Sequence, residues 1–182
     1  IIMNPMADAS TVERALMMHA RMQKSPINGS LELLPLCNLN CKMCYVRLSR
    51  QAQEAISPLA SAERWLALGE EAKNAGMLYL LLTGGEPLLW PDFWTLYDEL
   101  IDMGFLISIN TNGSLIDEKA IARFQKKPPQ RINITLYGAT DETYKRLCGI
   151  DGVHRNVDAA IRGLKNAGLT VKLNCSLTPD NA

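Results

Sequence analysis

Runs of consecutive apolar residues alternate along the chain with longer stretches in which apolar residues recur every three or four positions. A run such as M-L-Y-L-L-L at 77–82 is typical of a strand buried on both faces of a parallel sheet. The longer stretches have the period of amphipathic helices, and glycine or proline follows most of them. The predicted strands are 31–36, 77–82, 105–110, 131–137 and 169–177. The predicted helices are 10–24, 57–74, 91–103, 117–126 and 141–167. Ser10 or Thr11 would cap the first of these helices, and the last is interrupted near 149–152.

The order of these elements predicts the fold class. Strand and helix alternate with short loops, which indicates right-handed βαβ units around a parallel sheet and therefore an α/β fold. Five such units are too few for a closed eight-fold barrel, so we expect a curved, open, partial barrel. We expect residues 1–30 to form an N-terminal helical extension and residues 31–182 an incomplete core domain, truncated after the fifth strand.

Composition and charge narrow the possible partners. Apolar residues make up 47% of the chain, and 19 lysines and arginines balance 19 aspartates and glutamates, so no net field favours nucleic acid or an anionic membrane. No stretch reaches the roughly 18 consecutive apolar residues of a membrane span, and residues 1–6 do not have the pattern of a signal peptide. We therefore expect a cytoplasmic protein, in which five cysteines point to metal or redox chemistry more than to disulfides.

Three of these cysteines lie in one short segment, C-N-L-N-C-K-M-C, as Cys37, Cys41 and Cys44. Thiolates bind iron–sulfur clusters, and this spacing lets three cysteines of one loop surround one cluster. Three ligands would leave the fourth iron open, as a catalytic metal requires. Two alternatives remain at this stage, a structural zinc site, which usually takes four ligands, and inert buried thiols.

The remaining cysteines and histidines do not extend this segment. Cys148 and Cys175 stand alone in the sequence, and we interpret both as small buried hydrophobic residues. The two histidines, His19 and His154, do not have the spacing of a zinc site with the cysteine segment.

Four motifs together resemble the radical S-adenosylmethionine (SAM) superfamily. The cysteines have its C-x3-C-x2-C spacing, and Gly84-Gly85-Glu86-Pro87 after the second predicted strand resembles its G-G-E-P motif. Thr111-Asn112-Gly113 is similar to its T-N-G loop, and Thr135-Leu136-Tyr137-Gly138 resembles its S-L-D-G segment, with tyrosine in place of aspartate. The motifs occur in the family's order, each at the carboxyl end of a predicted strand, and the resemblance covers nearly the whole chain after residue 31.

The resemblance implies a partial (β/α)6 barrel, similar to a TIM barrel, that holds a 4Fe–4S cluster on Cys37, Cys41 and Cys44. It also implies that SAM chelates the open iron and is reductively cleaved to methionine and a 5′-deoxyadenosyl radical, which removes a hydrogen atom from the substrate. The chain would therefore be an enzyme, served by an electron donor of the flavodoxin or ferredoxin type.

The same resemblance implies which residues contact SAM. Gly84 and Gly85 let the backbone approach a ligand, and their carbonyls, with the Glu86 carboxylate, can accept hydrogen bonds from the methionine ammonium. Met43 occupies the position that the family uses against the adenine. Further candidates, each with a purely structural alternative, are Asn112 in its loop, Thr135 on the fourth strand, Arg146 (or its rival Arg155) for the SAM carboxylate, and Asn174 for the adenosine.

The substrate is less defined. The segment 135–149 resembles the subgroup that carries a C-terminal SPASM or twitch domain, many of whose members modify peptides or proteins, so a peptide or protein substrate is our first expectation. The alternatives are a small-molecule or tetrapyrrole-type substrate, a binding module that holds a metal without chemistry, and an α/β enzyme with structural cysteines. Without a sixth strand one side of the cavity is uncovered, so we expect this chain alone to be incomplete for turnover.

Overall fold

The computed structural model describes residues 11–181, so the predicted cap at Ser10 lies outside the described residues. The helices are α1 (Thr11–Gln23), α2 (Arg50–Ile56), α3 (Ala62–Asn74), α4 (Phe93–Asp102), α5 (Glu118–Lys126), α6 (Asp141–Cys148) and α7 (Val153–Asn166). The strands are β1 (Asn28–Glu32), β2 (Tyr79–Thr83), β3 (Leu106–Thr111), β4 (Arg131–Thr135) and β5 (Val171–Asn174).

The strands form one sheet in the order β1-β2-β3-β4-β5, and every neighbouring pair is parallel. The prediction of a parallel α/β fold is thereby confirmed. Sequential order means that every right-handed crossover returns on the same side, so the connecting helices cover one face of the sheet. The carboxyl ends of all five strands meet at one edge, where the loops that follow them converge.

Alternation along the strands divides the sheet into an apolar and a polar face. The apolar face packs against the helices, and its side chains are 0–1% exposed: Leu80, Leu82, Ile107, Ile109, Ile132 and Ile134. The opposite face carries polar residues, among them Asn110 and Asn133, which are paired in register and joined by a hydrogen bond of 2.8 Å between their side-chain amides. The hydrophobic effect thus holds the helices on one face and leaves the other for polar contacts.

The first strand lies earlier in the chain than predicted. β1 spans Asn28–Glu32, so the predicted domain boundary at residue 31 falls inside this strand. The segment 33–36 leaves the sheet because it pairs with the loop after β2 instead: the amides of Gly85 and Glu86 donate to the carbonyls of Leu34 and Leu36 at 2.7 and 2.9 Å. This departure carries the chain directly into the cysteine segment.

The helix predicted at 57–74 begins later, as α3 at Ala62, and a helix that was not predicted, α2, precedes the predicted range. Ser49 caps α2 by accepting from the amide of Ala52, and Ser61 caps α3 by accepting from that of Arg64. The segment between the helices, which contains Pro58, is not helical. The longest helix among residues 11–181, α7, has 14 residues, and no helix in this range combines the length and apolar character needed to cross a membrane.

Candidate cluster and ligand site

A cavity of about 400 Å³ lies at the carboxyl edge of the sheet. One wall is the cysteine segment, and the others are the ends of β2, β3 and β4 with the loops that follow them. The predicted site residues that line the cavity are Cys37, Cys41, Met43, Cys44, Gly84, Gly85, Asn112 and Thr135. Four motifs that are far apart in sequence therefore meet around one volume.

The cysteine segment is held in place by two distant parts of the chain. The amides of Asn40 and Lys42 donate to the carbonyls of Cys148 and Leu147 at 2.9 and 3.0 Å. Those carbonyls belong to the last turn of α6, where the helix itself supplies no N–H donors for them. The amide of Leu48 closes the segment by donating to Pro35 at 2.9 Å. The segment is therefore anchored on both sides, although it has no regular secondary structure.

Backbone amides already point at two of the three sulfurs. The amide of Leu39 donates to Cys37 Sγ at 3.4 Å, and that of Arg47 donates to Cys44 Sγ at 3.3 Å. Burial raises the pKa of Cys37, and the Leu39 amide opposes this shift by stabilising the thiolate, which is the form that binds metals. Within residues 11–181, no group of three or more His, Cys, Asp or Glu side chains is placed to hold a single metal ion. A 4Fe–4S cluster takes its three thiolates on three different irons, and the three thiols do face one cavity.

Cys41 has side-chain neighbours instead. The neighbouring Cys148 thiol lowers the pKa of Cys41 by favouring its thiolate, and the Tyr137 hydroxyl acts in the same direction. Cys148 is fully buried, as predicted, but it also contacts a candidate ligand. Cys175 was expected to be buried and is exposed, because it follows the edge strand β5 and no described strand covers that side. Tyr137, where the family often has aspartate, lines the cavity and packs edge-on against Tyr144.

Gly84 and Gly85 are needed for a close approach of the chain to itself. Gly84 has φ +146°, and a Cβ there would overlap the carbonyl oxygen of Leu34. A Cβ on Gly85 would overlap the carbonyl of Leu36. The Gly-Gly pair therefore presses the loop after β2 against the segment that leads to Cys37, and it also forms part of the cavity surface.

Glu86 lies behind the cavity wall and is completely buried. Its Oε1 accepts from the Thr111 hydroxyl at 2.8 Å and from the Leu88 amide at 3.2 Å, and its Oε2 accepts from the Asn112 amide at 2.8 Å. Both oxygens are thus used within the protein, and the G-G-E-P motif is joined to the T-N-G loop. Burial raises the pKa of Glu86 to about 7, although these three donors oppose the shift.

This pKa predicts how stability depends on pH in the cofactor-free protein. A carboxyl with a folded-state pKa raised above its unfolded value of about 4.5 stabilises the fold at low pH, and that stability is lost as the pH rises through 7. We expect the contribution of Glu86 to fall by about 2 kcal/mol between pH 5 and pH 7. Urea unfolding of wild type and Glu86→Gln across this range measures it. Parallel curves for the two proteins would contradict the prediction.

Besides Glu86, three predicted residues are not brought to the cavity. Arg146 is exposed and donates through Nε to the Asp180 carbonyl at 2.8 Å, and its rival Arg155 is an exposed partner of Asp141 at 3.9 Å. Asn174 is exposed on β5, in register with Thr135. The cavity is lined instead by residues that the sequence analysis did not select, among them Asn110, Tyr137 and Ser176. Asn110 carried a usable signal, since it is a polar residue within an apolar strand, two positions before Asn112.

Comparisons with known proteins agree with the motifs. Residues 31–181 match the family model described as the radical SAM superfamily. A probable GTP 3′,8-cyclase from Saccharolobus islandicus is 33% identical over 149 residues, which cover 79% of this chain and 46% of the relative. An AdoMet-dependent heme synthase from Methanosarcina barkeri is 26% identical over 160 residues, which cover 88% of this chain and 45% of the relative. The chain thus spans about half the length of these relatives.

A similar fold is found in a solved structure. Streptococcus suis SuiB superposes with a TM-score of 0.73 at 20% identity, over 93% of this chain and 38% of SuiB. SuiB has also been solved with S-adenosylmethionine and with its precursor peptide SuiA. At this identity the likeness establishes the fold and nothing further.

Proposed function

Because the chain belongs to the radical SAM superfamily, whose enzymes use a 4Fe–4S cluster and SAM, we propose that Cys37, Cys41 and Cys44 bind such a cluster at the mouth of the partial barrel. When bound, the cluster supplies the electron that splits SAM into methionine and a 5′-deoxyadenosyl radical, which removes a hydrogen atom from the substrate. The observation that carries the proposal is that the three thiols and the Gly84-Gly85 edge share one cavity.

In this proposal, different residues around the cavity bind different parts of SAM. The Gly84 and Gly85 carbonyls accept from the methionine ammonium, and Thr135 presents a hydroxyl to the ligand. Met43 offers a thioether to the adenine. Glu86 acts indirectly, because its carboxylate does not reach the cavity but accepts a hydrogen bond from the Asn112 amide and so holds that loop in place. Arg146 and Asn174 stay predictions, because neither side chain lines the cavity.

Anaerobic reconstitution of the protein with iron and sulfide tests this function. We expect a brown protein that forms 5′-deoxyadenosine and methionine from SAM when dithionite is added. A colourless protein, or a zinc-loaded one that leaves SAM intact, would favour the structural-metal alternative instead.

For the substrate we propose a peptide or protein. Support comes from the segment 135–149 and from the fold shared with SuiB, which has been solved with its precursor peptide. A small-molecule substrate is the second candidate, because the relatives with higher sequence identity are named as a GTP cyclase and a heme synthase. Deuterium transfer into 5′-deoxyadenosine from a deuterated peptide or from deuterated GTP distinguishes the two.

The electron donor is proposed to be a small acidic carrier of the flavodoxin or ferredoxin type. Cys44 is the exposed thiol of the three, and the exposed side chains near it include the cations Arg47 and Arg50. Positive charge beside the entry point of the electron favours encounter with an acidic partner, most strongly at low ionic strength.

Reversing these charges is expected to weaken reduction by the carrier. In the double variant Arg47→Glu/Arg50→Glu, we expect the ratio of flavodoxin-driven to dithionite-driven SAM cleavage to fall about tenfold at low salt. The ratio corrects for any change in the cluster itself. The control, Lys126→Glu/Lys165→Glu, reverses two exposed charges in the last turns of helices α5 and α7. Both turns lie at the ends of these helices that face away from the carboxyl edge of the sheet. An equal drop in the control would exclude a local docking site.

A further inference from the structure

We propose that Asn112 is a positioning residue whose side-chain amide donates a hydrogen bond to Cys37 and thereby raises the reduction potential of the cluster. The inference rests on the proposed function and adds a role for the T-N-G loop that is separate from SAM binding. Asn112 Nδ2 lies 3.7 Å from Cys37 Sγ, within the range of an N–H···S contact.

The orientation of the Asn112 amide is fixed by its other contacts. Its Oδ1 accepts from the Ser114 amide at 2.9 Å and from the Ser114 hydroxyl at 2.6 Å. Its Nδ2 donates to Asn38 Oδ1 at 2.9 Å. A flipped amide would set its Nδ2 against the Ser114 backbone N–H, donor against donor, and would turn its oxygen towards the sulfur and towards Asn38 Oδ1. The N–H is therefore the group that faces Cys37.

These contacts form a closed ring of three side chains. The Asn38 amide donates to Ser114 Oγ at 2.8 Å, Ser114 Oγ donates to Asn112, and Asn112 donates back to Asn38. Asn38 directly follows Cys37, whereas Asn112 and Ser114 follow β3. The ring therefore joins the cysteine segment to the sheet beside the sulfur that Asn112 contacts.

The backbone of Asn112 is held from the other side by Glu86. The carboxylate accepts from the Asn112 amide and from the Thr111 hydroxyl, and the Gly113 amide donates to Thr111 Oγ1 at 3.0 Å. Asn112 is only 6% exposed, so water does not compete strongly for its amide. Backbone and side chain are thus both fixed, and the donor cannot swing away from Cys37.

A fixed donor at a ligand sulfur changes the redox equilibrium of a cluster. The reduced cluster carries one more negative charge, part of which resides on its thiolates, so a hydrogen bond stabilises it more than the oxidised cluster. The Leu39 amide, 3.4 Å from the same sulfur, belongs to the backbone and survives side-chain replacement. The Asn112 contribution can therefore be removed alone, and we expect a change of about tenfold in the reduction equilibrium, equivalent to about 59 mV for one electron.

The test is an EPR-monitored redox titration of the reconstituted cluster, without SAM, in Asn112→Ala and in the matched control Ser114→Ala. Ser114→Ala opens the ring but keeps the Asn112 side chain and the Ser114 backbone donor. We expect the midpoint potential of Asn112→Ala to become more negative by about 59 mV, which is a tenfold change in the reduction equilibrium. In Ser114→Ala we expect the reduction equilibrium to stay within about twofold of the wild-type value. An unshifted Asn112→Ala cluster, or an equal shift in both variants, overturns the proposal.

A second measurement, made on the wild-type protein, tests the proposal if the Asn112→Ala variant binds no cluster. Wild-type protein is labelled with ¹⁵N in the asparagine side chains, and its reduced cluster is examined by pulsed EPR. We expect a ¹⁵N hyperfine coupling, and its absence overturns the proposal. Wild-type protein that takes up no cluster would contradict the proposed function itself, so the two failures are distinguishable.

Discussion

The double variant Cys41→Ala/Cys148→Ala is expected to bind no 4Fe–4S cluster and to form no measurable 5′-deoxyadenosine. Cys41 is a half-buried thiol on the cavity wall, and removing one of three ligands leaves an iron without protein support. Cys148 is removed as well because its thiol contacts Cys41 and could take its place on the iron. Iron and sulfide content per chain, together with 5′-deoxyadenosine yield, measure the loss.

The matched control is Cys175→Ala. Cys175 is exposed and does not line the cavity, so its removal is expected to leave cluster content and SAM cleavage unchanged. Equal cluster content in the double variant and the control would show that the cysteine ligands are wrongly assigned. A single Cys41→Ala variant that retains the cluster, next to an empty double variant, would show that Cys148 substitutes as a ligand.

Gly84→Ala is expected to destabilise the fold by about 4 kcal/mol, the sum of a steric and a conformational cost. The new Cβ would overlap the carbonyl oxygen of Leu34, a backbone atom that cannot turn away. The positive φ of Gly84 adds the strain that any L-residue has in that conformation. Because Gly84 adjoins the segment that enters the cysteine loop, cluster uptake is expected to fall as well. Urea unfolding and iron content measure the two effects.

Gly104→Ala separates these two costs. Gly104 also has a positive φ, +96°, but a Cβ there would meet no atom within 4 Å. The control therefore carries the conformational cost alone, about 1–2 kcal/mol, and is expected to bind the cluster normally. Equal destabilisation in the two variants would mean that the chain does not make the close approach seen at Gly84.

The sequence predicted the architecture because the decisive signals were local. An unbroken apolar run such as 77–82 indicates a strand buried on both faces, and the regular alternation of such runs with helices indicates parallel order. The position of each motif after a strand then placed Cys37, Gly84, Asn112 and Thr135 at one edge, and the structure brings all four to one cavity.

The partners of the site residues could not be predicted in the same way. The carboxylate of Glu86 was expected to face the ligand, yet its oxygens bind the loop after β3, a pairing that only the register of β2 against β3 determines. Arg146 was selected because arginine suits a carboxylate, but the exposed face of α6 carries it away from the cavity. The link from Asn38 to Ser114 spans 76 positions and has no local signature.

The anchoring of the cysteine segment on the last turn of α6 bears on how the protein matures during synthesis. The carbonyls of Leu147 and Cys148 that hold Asn40 and Lys42 leave the ribosome roughly a hundred residues after the cysteines do. Until then the three thiols lie on an unsupported stretch of nascent chain, exposed to oxidants and to stray metal ions. If the three cysteines bind the proposed cluster, we therefore expect iron delivery to be productive only after that helix has folded, late in the biogenesis of the protein.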